Sequence, residues 1–293
     1  MPGTIRIISA RMDYLPDEDK VEETLSSRSK AYIARYALGR DYHKVIRARL
    51  RALTNRINDH LQDSGILDFS ARVFTDSAPV LEKGAAEKAG LGWIGKNTLL
   101  LNETAGSWFF LGEIYTNIPL PIDKSEASNR CGSCTACMDV CPTKAIVAPY
   151  QLDSRLCISY HTIENRGVIP IDIRERMGNR IFGCDDCQAV CPWNRYAHPT
   201  SEPDFKPRND FDSATLLTLF NWSEAEFSKN TEGSAIRRTG YDGWLRNISI
   251  ALGNADYDPE IVAALSDKQG QTSEMVKEHV EWAIKQQLAK KPA

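Results

Sequence analysis

Apolar positions in the last third of the chain recur at a spacing of four. Val276, Val280 and Ile284 fall on one helix face, and Trp244, Ile248 and Leu252 fall on another. Asp258-Pro259 has the form of a helix start, with Asp as N-cap and Pro at the first helical position. Stacked amphipathic helices of this kind predict a helical, HEAT-like layer. Upstream, residues 20–62 read as helical, with few breakers apart from Gly39. The short apolar segment 71–74 predicts a strand, and residues 77–89 a helix closed by Gly90. Residues 98–101 and 108–115 read as strands joined by a turn at 103–107. Polar, proline-bearing stretches at 119–129 and 199–212 predict boundaries. Three parts result: 1–125, α/β; 126–200, cysteine-rich; and 201–293, helical.

With 293 residues, 42% of them hydrophobic, the chain is long enough for two or three cores. The formal net charge of −3 announces no polyanionic partner. No run of 18 apolar residues occurs, and Met1-Pro-Gly-Thr-Ile-Arg lacks a secretory pattern, so a soluble, cytoplasmic protein without membrane attachment is expected.

All eight cysteines lie between Cys131 and Cys191. A secreted disulfide scaffold would spread them through a small chain, so this crowding points to metal. Cys131, Cys134, Cys137 and Cys141 follow a C-x2-C-x2-C-x3-C-P pattern. Cys184, Cys187 and Cys191 follow C-x2-C-x3-C-P, and Cys157 stands between the two runs. The first is the bacterial ferredoxin spacing, whose fourth cysteine serves the other cluster. Applying that crossover, Cys131, Cys134, Cys137 and Cys191 hold one 4Fe–4S cluster, and Cys141, Cys157, Cys184 and Cys187 hold a second. Two structural zinc sites are the plain alternative, because zinc also takes four thiolates. A three-spaced run closed by Cys-Pro, twice, is not the usual zinc arrangement. Two cubanes relay single electrons, and the long flanks around them call for an acceptor site in the same chain.

Outside the cysteines, TDSAPVLE at 75–82 leads into AGLGWIGKN at 89–97. Glycines 90, 92 and 95 would allow the backbone to approach a large ligand closely. Asp76 read alone is a plain helix N-cap. Together with GRDYH at 39–43, CISYHTIENRG from Cys157, GCDDCQAVCPWN from Gly183, Arg237-Arg238 and Leu245-Arg246-Asn247, these segments resemble the cobalamin-dependent epoxyqueuosine reductases over nearly the whole chain.

The resemblance implies an α/β cobalamin-binding domain, a ferredoxin-like two-cluster domain and a C-terminal tRNA-holding domain. It implies removal of the epoxide oxygen of epoxyqueuosine, giving queuosine at the tRNA wobble position, with electrons passing from an external donor through both clusters to cobalamin. The family's proton donor falls on Asp76, and burial against the corrin face would raise its pKa. Lys96, Asn97 and Thr98 fall where the family contacts cobalamin, with Ser159, Tyr160 and Asp185 as contacts from the cluster side. His43 could ligate cobalt or line the pocket, although the family is not taken to need a protein histidine. Arg237, Arg238 and Arg246, beside Tyr241 and Trp244, form a basic patch for tRNA with GUN anticodons. Residues 28–56 hold nine Lys/Arg against one acid, Asp41, and that stripe is either a second contact or a solvated face. A monomer is expected. Family members carry more chain before the segment beginning here at Met1, so the first sheet is expected to be short and to expose a strand edge.

Three rivals differ in what they predict. A reductive dehalogenase-like enzyme shares the cofactors but is usually exported. A ferredoxin-type carrier has clusters without a corrin. A zinc-stabilised RNA-binding module is colourless.

Overall fold

A computed structural model describes residues 2–17, 20–123, 127–270 and 272–292. The first third is built from β1 (Arg6–Asp13), α1 (Val21–Ser26), β2 (Tyr32–Ile33), α2 (Tyr42–Asp63), β3 (Ala71–Phe74), α3 (Glu82–Lys88), β4 (Trp93–Ile94), β5 (Leu100–Leu101) and β6 (Phe109–Thr116). The central region holds α4 (Ala136–Val140), β7 (Ile146–Ala148), β8 (Gln151–Leu152), α5 (Ile158–Ile163), α6 (Ile171–Met177), β9 (Arg180–Phe182) and α7 (Asp186–Ala189). The last third is α8 (Leu216–Phe220), α9 (Glu224–Asn230), α10 (Gly240–Asn254), α11 (Pro259–Gln269) and α12 (Glu274–Ala289). The whole is a mixed structure with many helices.

An antiparallel sheet of order β1-β6-β3 organises the first third. Alternation along β6 divides its side chains between two covers. Ile114 and Phe110 pack with Val45, Ile46 and Leu50 of α2. Phe109 packs with Ala86 of α3 on the other face. Residues 20–62 are therefore not one helix. The chain between α1 and α2 leaves to pair β2 in parallel with β9 of the cluster region. Gly39 is required there, because a Cβ would lie 2.6 Å from the Phe205 Cα.

The helix expected over 77–89 begins only at Glu82, and residues 77–81 form a tight loop after β3. Gly90, at φ +75°, closes it as expected. The other two glycines of that segment serve internal packing rather than a ligand. A Cβ on Gly92 would meet Leu101 O at 2.0 Å, and one on Gly95 would meet Leu101 Cδ1 at 2.7 Å, so both let β4 close on β5.

In the last third, Asp258 caps α11 by accepting from the Glu260 N–H, with Pro259 at the first position. Trp244, Ile248, Leu252, Val276 and Val280 are fully buried. Their core also takes in Ala31, Ile33, Ala37, Ile181 and Phe182, so packing crosses the boundaries read from the sequence. No helix among the described residues is long and apolar enough to cross a membrane.

Candidate functional site

The α2 N-terminus sets the chemistry of the site. Asp41 is its N-cap and accepts the His43 N–H at 3.1 Å. That turns the His43 ring so that Nδ1 lies 2.8 Å from Asp41 Oδ1 and Nε2 lies 2.9 Å from Asp76 Oδ2. Tyr42 donates its hydroxyl to the same Asp76 oxygen at 2.6 Å. The Tyr42 ring is stacked between His43, at 4.1 Å, and Phe110, at 4.2 Å.

Asp76 follows β3 with φ +47°, a conformation held by its surroundings. Its N–H donates to Glu82 Oε1, and Arg47 fixes the next residue through Ser77 Oγ. The hydrogen bond from His43 holds the Asp76 carboxyl below the usual range, and Tyr42 acts in the same sense against burial. Burial would lower the His43 pKa, but hydrogen bonds to Asp41 and Asp76 outweigh it and push the imidazole up to about 9. At neutral pH the proton of this pair therefore sits on His43, with Asp76 as the carboxylate. Both ring nitrogens face carboxylates, which leaves neither for cobalt.

Two clefts meet at Asp76. One, of about 470 Å³, is walled by apolar side chains of β6 and of the cluster region, among them Phe109, Phe110, Ile146 and Ile158. Asn97, Thr98, Ser159 and Asp185 line it as well. Thr98 and Asp185, both at φ +65°, share with Asp76 a left-handed backbone that the sequence did not signal. Asp185 is buried and accepts from the Tyr32 hydroxyl at 2.9 Å and the Arg35 N–H at 2.8 Å. The second cleft, of about 550 Å³, is lined by His43, Lys44, Ser159, Tyr160, Arg237 and Arg238. Tyr36, Tyr42, Asp76, Ser159 and Ile163 belong to both.

Cys141, Cys157, Cys184 and Cys187 all border the first cleft. Cys131, Cys134, Cys137 and Cys191 gather at another surface hollow, beside Lys96, Trp193 and Arg195. This is the grouping that the ferredoxin crossover gave. No three His, Cys, Asp or Glu side chains among the described residues stand close enough to hold a single metal ion. Four cysteine sulfurs at each hollow are the donor set that a 4Fe–4S cubane takes, so the residues fit the cluster.

Side chains clamp the cluster region to the first third. Asn194 Oδ1 accepts the Ser107 N–H at 2.6 Å, against Gly106 at φ +63°. Asn97 Nδ2 donates to Cys187 O at 3.3 Å. Lys96 does not face the first cleft: its Nζ donates to Gly132 O at 2.7 Å and Cys134 O at 2.9 Å, bracing the first cysteine loop.

Of the three arginines expected at the basic patch, Arg237 and Arg238 stand at the second cleft. Arg237 donates to Ser228 Oγ at 2.9 Å, and Arg238 pairs with Glu164 at 3.0 Å. Arg246 is a correction. It is 1% exposed, and its guanidinium donates to the carbonyls of His161, Asn165 and Gly167, so it cannot reach a phosphate. In the basic stripe, three of the nine cations, Arg28, Arg40 and Arg49, pair at the surface with Asp256, Asp204 and Glu202.

The arrangement couples a cysteine-bordered apolar cleft to a polar one through a single carboxylate backed by an imidazolium. Comparison with known proteins gives it a family. Residues 1–77 match the family model "Epoxyqueuosine reductase QueG, DUF1730", and residues 130–194 match "4Fe-4S double cluster binding domain". The chain is 56% identical to the epoxyqueuosine reductase of Pseudomonas aeruginosa over 285 residues, covering 97% of this chain and 78% of that one. It is 53% identical to that of Escherichia coli (strain K12) over 293 residues, 100% of this chain and 76% of that one. A solved epoxyqueuosine reductase from Streptococcus thermophilus superposes with a TM-score of 0.86 at 26% identity, covering 99% of this chain and 75% of that one. A solved epoxyqueuosine reductase with an epoxyqueuosine-modified tRNA-Tyr stem loop superposes with a TM-score of 0.80 at 27% identity, covering 98% and 83%. The chain belongs to the epoxyqueuosine reductase family.

Proposed function

We propose that this chain reduces epoxyqueuosine to queuosine within tRNA, with Asp76 as the proton donor at the epoxide. The observation that carries the reading is the position of Asp76 between the two clefts, bonded to His43. Residues 1–125 act as the α/β domain for cobalamin, 126–200 as the ferredoxin-like domain for two 4Fe–4S clusters, and 201–293 as the HEAT-like layer for tRNA. Asn97, Thr98, Ser159 and Asp185 border the broad apolar cleft, which suits a large flat ligand with apolar faces. Bound there, beside Cys141, Cys157, Cys184 and Cys187, cobalamin would supply a strongly reducing cobalt centre.

The second cleft suits the modified base. Its Tyr160 ring offers a stacking surface, and Arg237 and Arg238 offer cationic groups for phosphates. The overall change takes up two electrons and two protons. Both C–O bonds of the epoxide break, a C=C bond forms, and the oxygen leaves as water. Asp76 passes to that oxygen a proton drawn from the His43 imidazolium, which Asp41 keeps charged. Tyr42 fixes the Asp76 oxygen that faces His43.

Cys131, Cys134, Cys137 and Cys191 hold the entry cluster, because Cys134 is exposed. An external single-electron donor docks there, and the protein works as a monomer in the cytoplasm. The test is nucleoside mass spectrometry of epoxyqueuosine-containing tRNA incubated with the reconstituted, cobalamin-loaded protein and a reductant. Conversion to queuosine supports the reading, and unchanged epoxyqueuosine with full iron and cobalt occupancy overturns it.

A further inference from the structure

Beneath the Asp76 turn lies a second pair of acids that the mechanism above does not use. Glu113 sits in the middle of β6 and is 0% exposed. Neither of its carboxyl oxygens meets an N–H or hydroxyl donor among the described residues. Across the sheet its neighbours are Ser9 of β1 and Phe74 of β3, and Ser9 Oγ also lacks a partner. The helix α3 covers this face, and its first residue, Glu82, brings a second carboxyl close to that of Glu113. Two carboxyls this close repel when both are ionised, which favours one proton on the pair.

A buried carboxylate with no donor is costly, so the proton stays. Burial first, and then the charge of Glu82, push the Glu113 pKa up to about 8. Burial raises Glu82 also. The charged and titratable groups facing the pair are Asp76 from the loop, His43 and Tyr42 from α2, Arg11 and Asp13 from β1, Arg72 from β3, and Tyr115 from β6. Glu82 reaches outward as well: it accepts the Asp76 N–H and lines the same cleft as Asp76.

We propose that Glu82 and Glu113 hold one exchangeable proton and pass it by way of Glu82 to the Asp76 carboxylate. This supplies the second of the two protons that epoxide removal consumes, the first coming through His43. The inference rests on the reaction proposed above. The electrons come from the external donor through the clusters. The pair loses one proton per turnover and recovers it from solvent through the open cleft. Glu113 acts through Glu82 and Asp76, so it is a positioning and proton-storing residue rather than a catalytic one.

The test joins two readouts on Glu113→Gln, which keeps the volume but cannot release a proton. In the cobalamin-free wild type, infrared difference spectra should show a carboxylic acid carbonyl band that disappears as pH rises through about 8 and is missing from Glu113→Gln. In the loaded enzyme, Glu113→Gln should lower kcat at least about tenfold with KM unchanged, and should lose the wild-type alkaline limb near that pH. Glu82→Gln, which leaves β6 intact, should alter the same limb. No such band in a wild type that reduces epoxyqueuosine would overturn the pair alone. Wild-type kcat and pH profile in both variants would also overturn it. A protein that shows the band but does not reduce epoxyqueuosine would instead overturn the reaction, and the supply role with it.

Discussion

His43 Nε2 lies 2.9 Å from Asp76 Oδ2, so the proposed proton donor shares its proton with an imidazole whose other nitrogen faces Asp41. A carboxylate this well solvated by donors is a poor acid by itself. The pair can still donate, because the proton that Asp76 passes on is drawn from a cation one hydrogen bond away. This separates the two roles that a lone buried aspartic acid would have to combine: staying protonated at rest and giving the proton up on demand.

Asp76→Asn removes the carboxylate that relays the proton without changing the shape of the turn. Turnover of epoxyqueuosine-containing tRNA should fall by about 10²-fold or more. Iron content and cobalamin binding should stay at wild-type levels, which a spectrum of the purified variant checks.

His43 carries a pH signature. Its folded pKa is raised from 6.5 to about 9, so the imidazolium stabilises the fold fully below about 6.5, and this contribution is lost as pH rises through about 9. Asp76, shifted down, contributes above its ordinary value of 3.8 and loses that contribution in acid. His43→Gln should therefore flatten the decline in melting temperature on the alkaline side. It should also slow turnover more than it weakens tRNA binding.

The arginines should divide by readout. Arg237→Ala and Arg238→Ala should each weaken tRNA binding and reduce the slope of log Kd against log salt by about 1. Arg246→Ala should leave that slope unchanged and destabilise the fold by roughly 3 kcal/mol, because three main-chain carbonyls lose their donor. Salt-dependent binding and thermal melting distinguish the two outcomes.

Gly106→Ala tests the joint between the cluster region and the first third. A Cβ there would lie 2.1 Å from Asn194 Oδ1 on a backbone at φ +63°. A loss of about 2–4 kcal/mol is expected from strain and overpacking together. Iron content at low temperature should be retained, since no cysteine moves.

Cys157→Ser should remove the cluster beside the first cleft and leave the other, so bound iron should fall by about half. The remaining cluster should still be reduced by dithionite, but electrons should no longer reach the cleft.

Much of this was legible in the residues. The crossover rule sorted the eight cysteines into the two groups that the fold assembles, because cluster spacing is a local covalent constraint. The caps at Asp258 and Gly90 were equally local. What the sequence hid was long-range. Nothing in residues 20–62 signals that Tyr32–Ile33 leaves a helical pattern to pair with Arg180–Phe182, since that pairing partner lies about 150 residues away. Arg246 looked like a surface cation because its carbonyl partners come from 161–167. Glycines 92 and 95 looked like ligand-facing positions and proved to face Leu101. The direction of the Asp76 shift depends on His43 and Tyr42, which only the fold brings to it.

The account stands most directly on one anaerobic experiment: a single turnover of epoxyqueuosine-containing tRNA by the cobalamin-loaded, cluster-reconstituted protein, read by nucleoside mass spectrometry beside Asp76→Asn. The account predicts queuosine from the wild type and intact epoxyqueuosine from the variant, with equal iron and cobalt in both. Queuosine formed equally by the two proteins, or by neither at full occupancy, would contradict it.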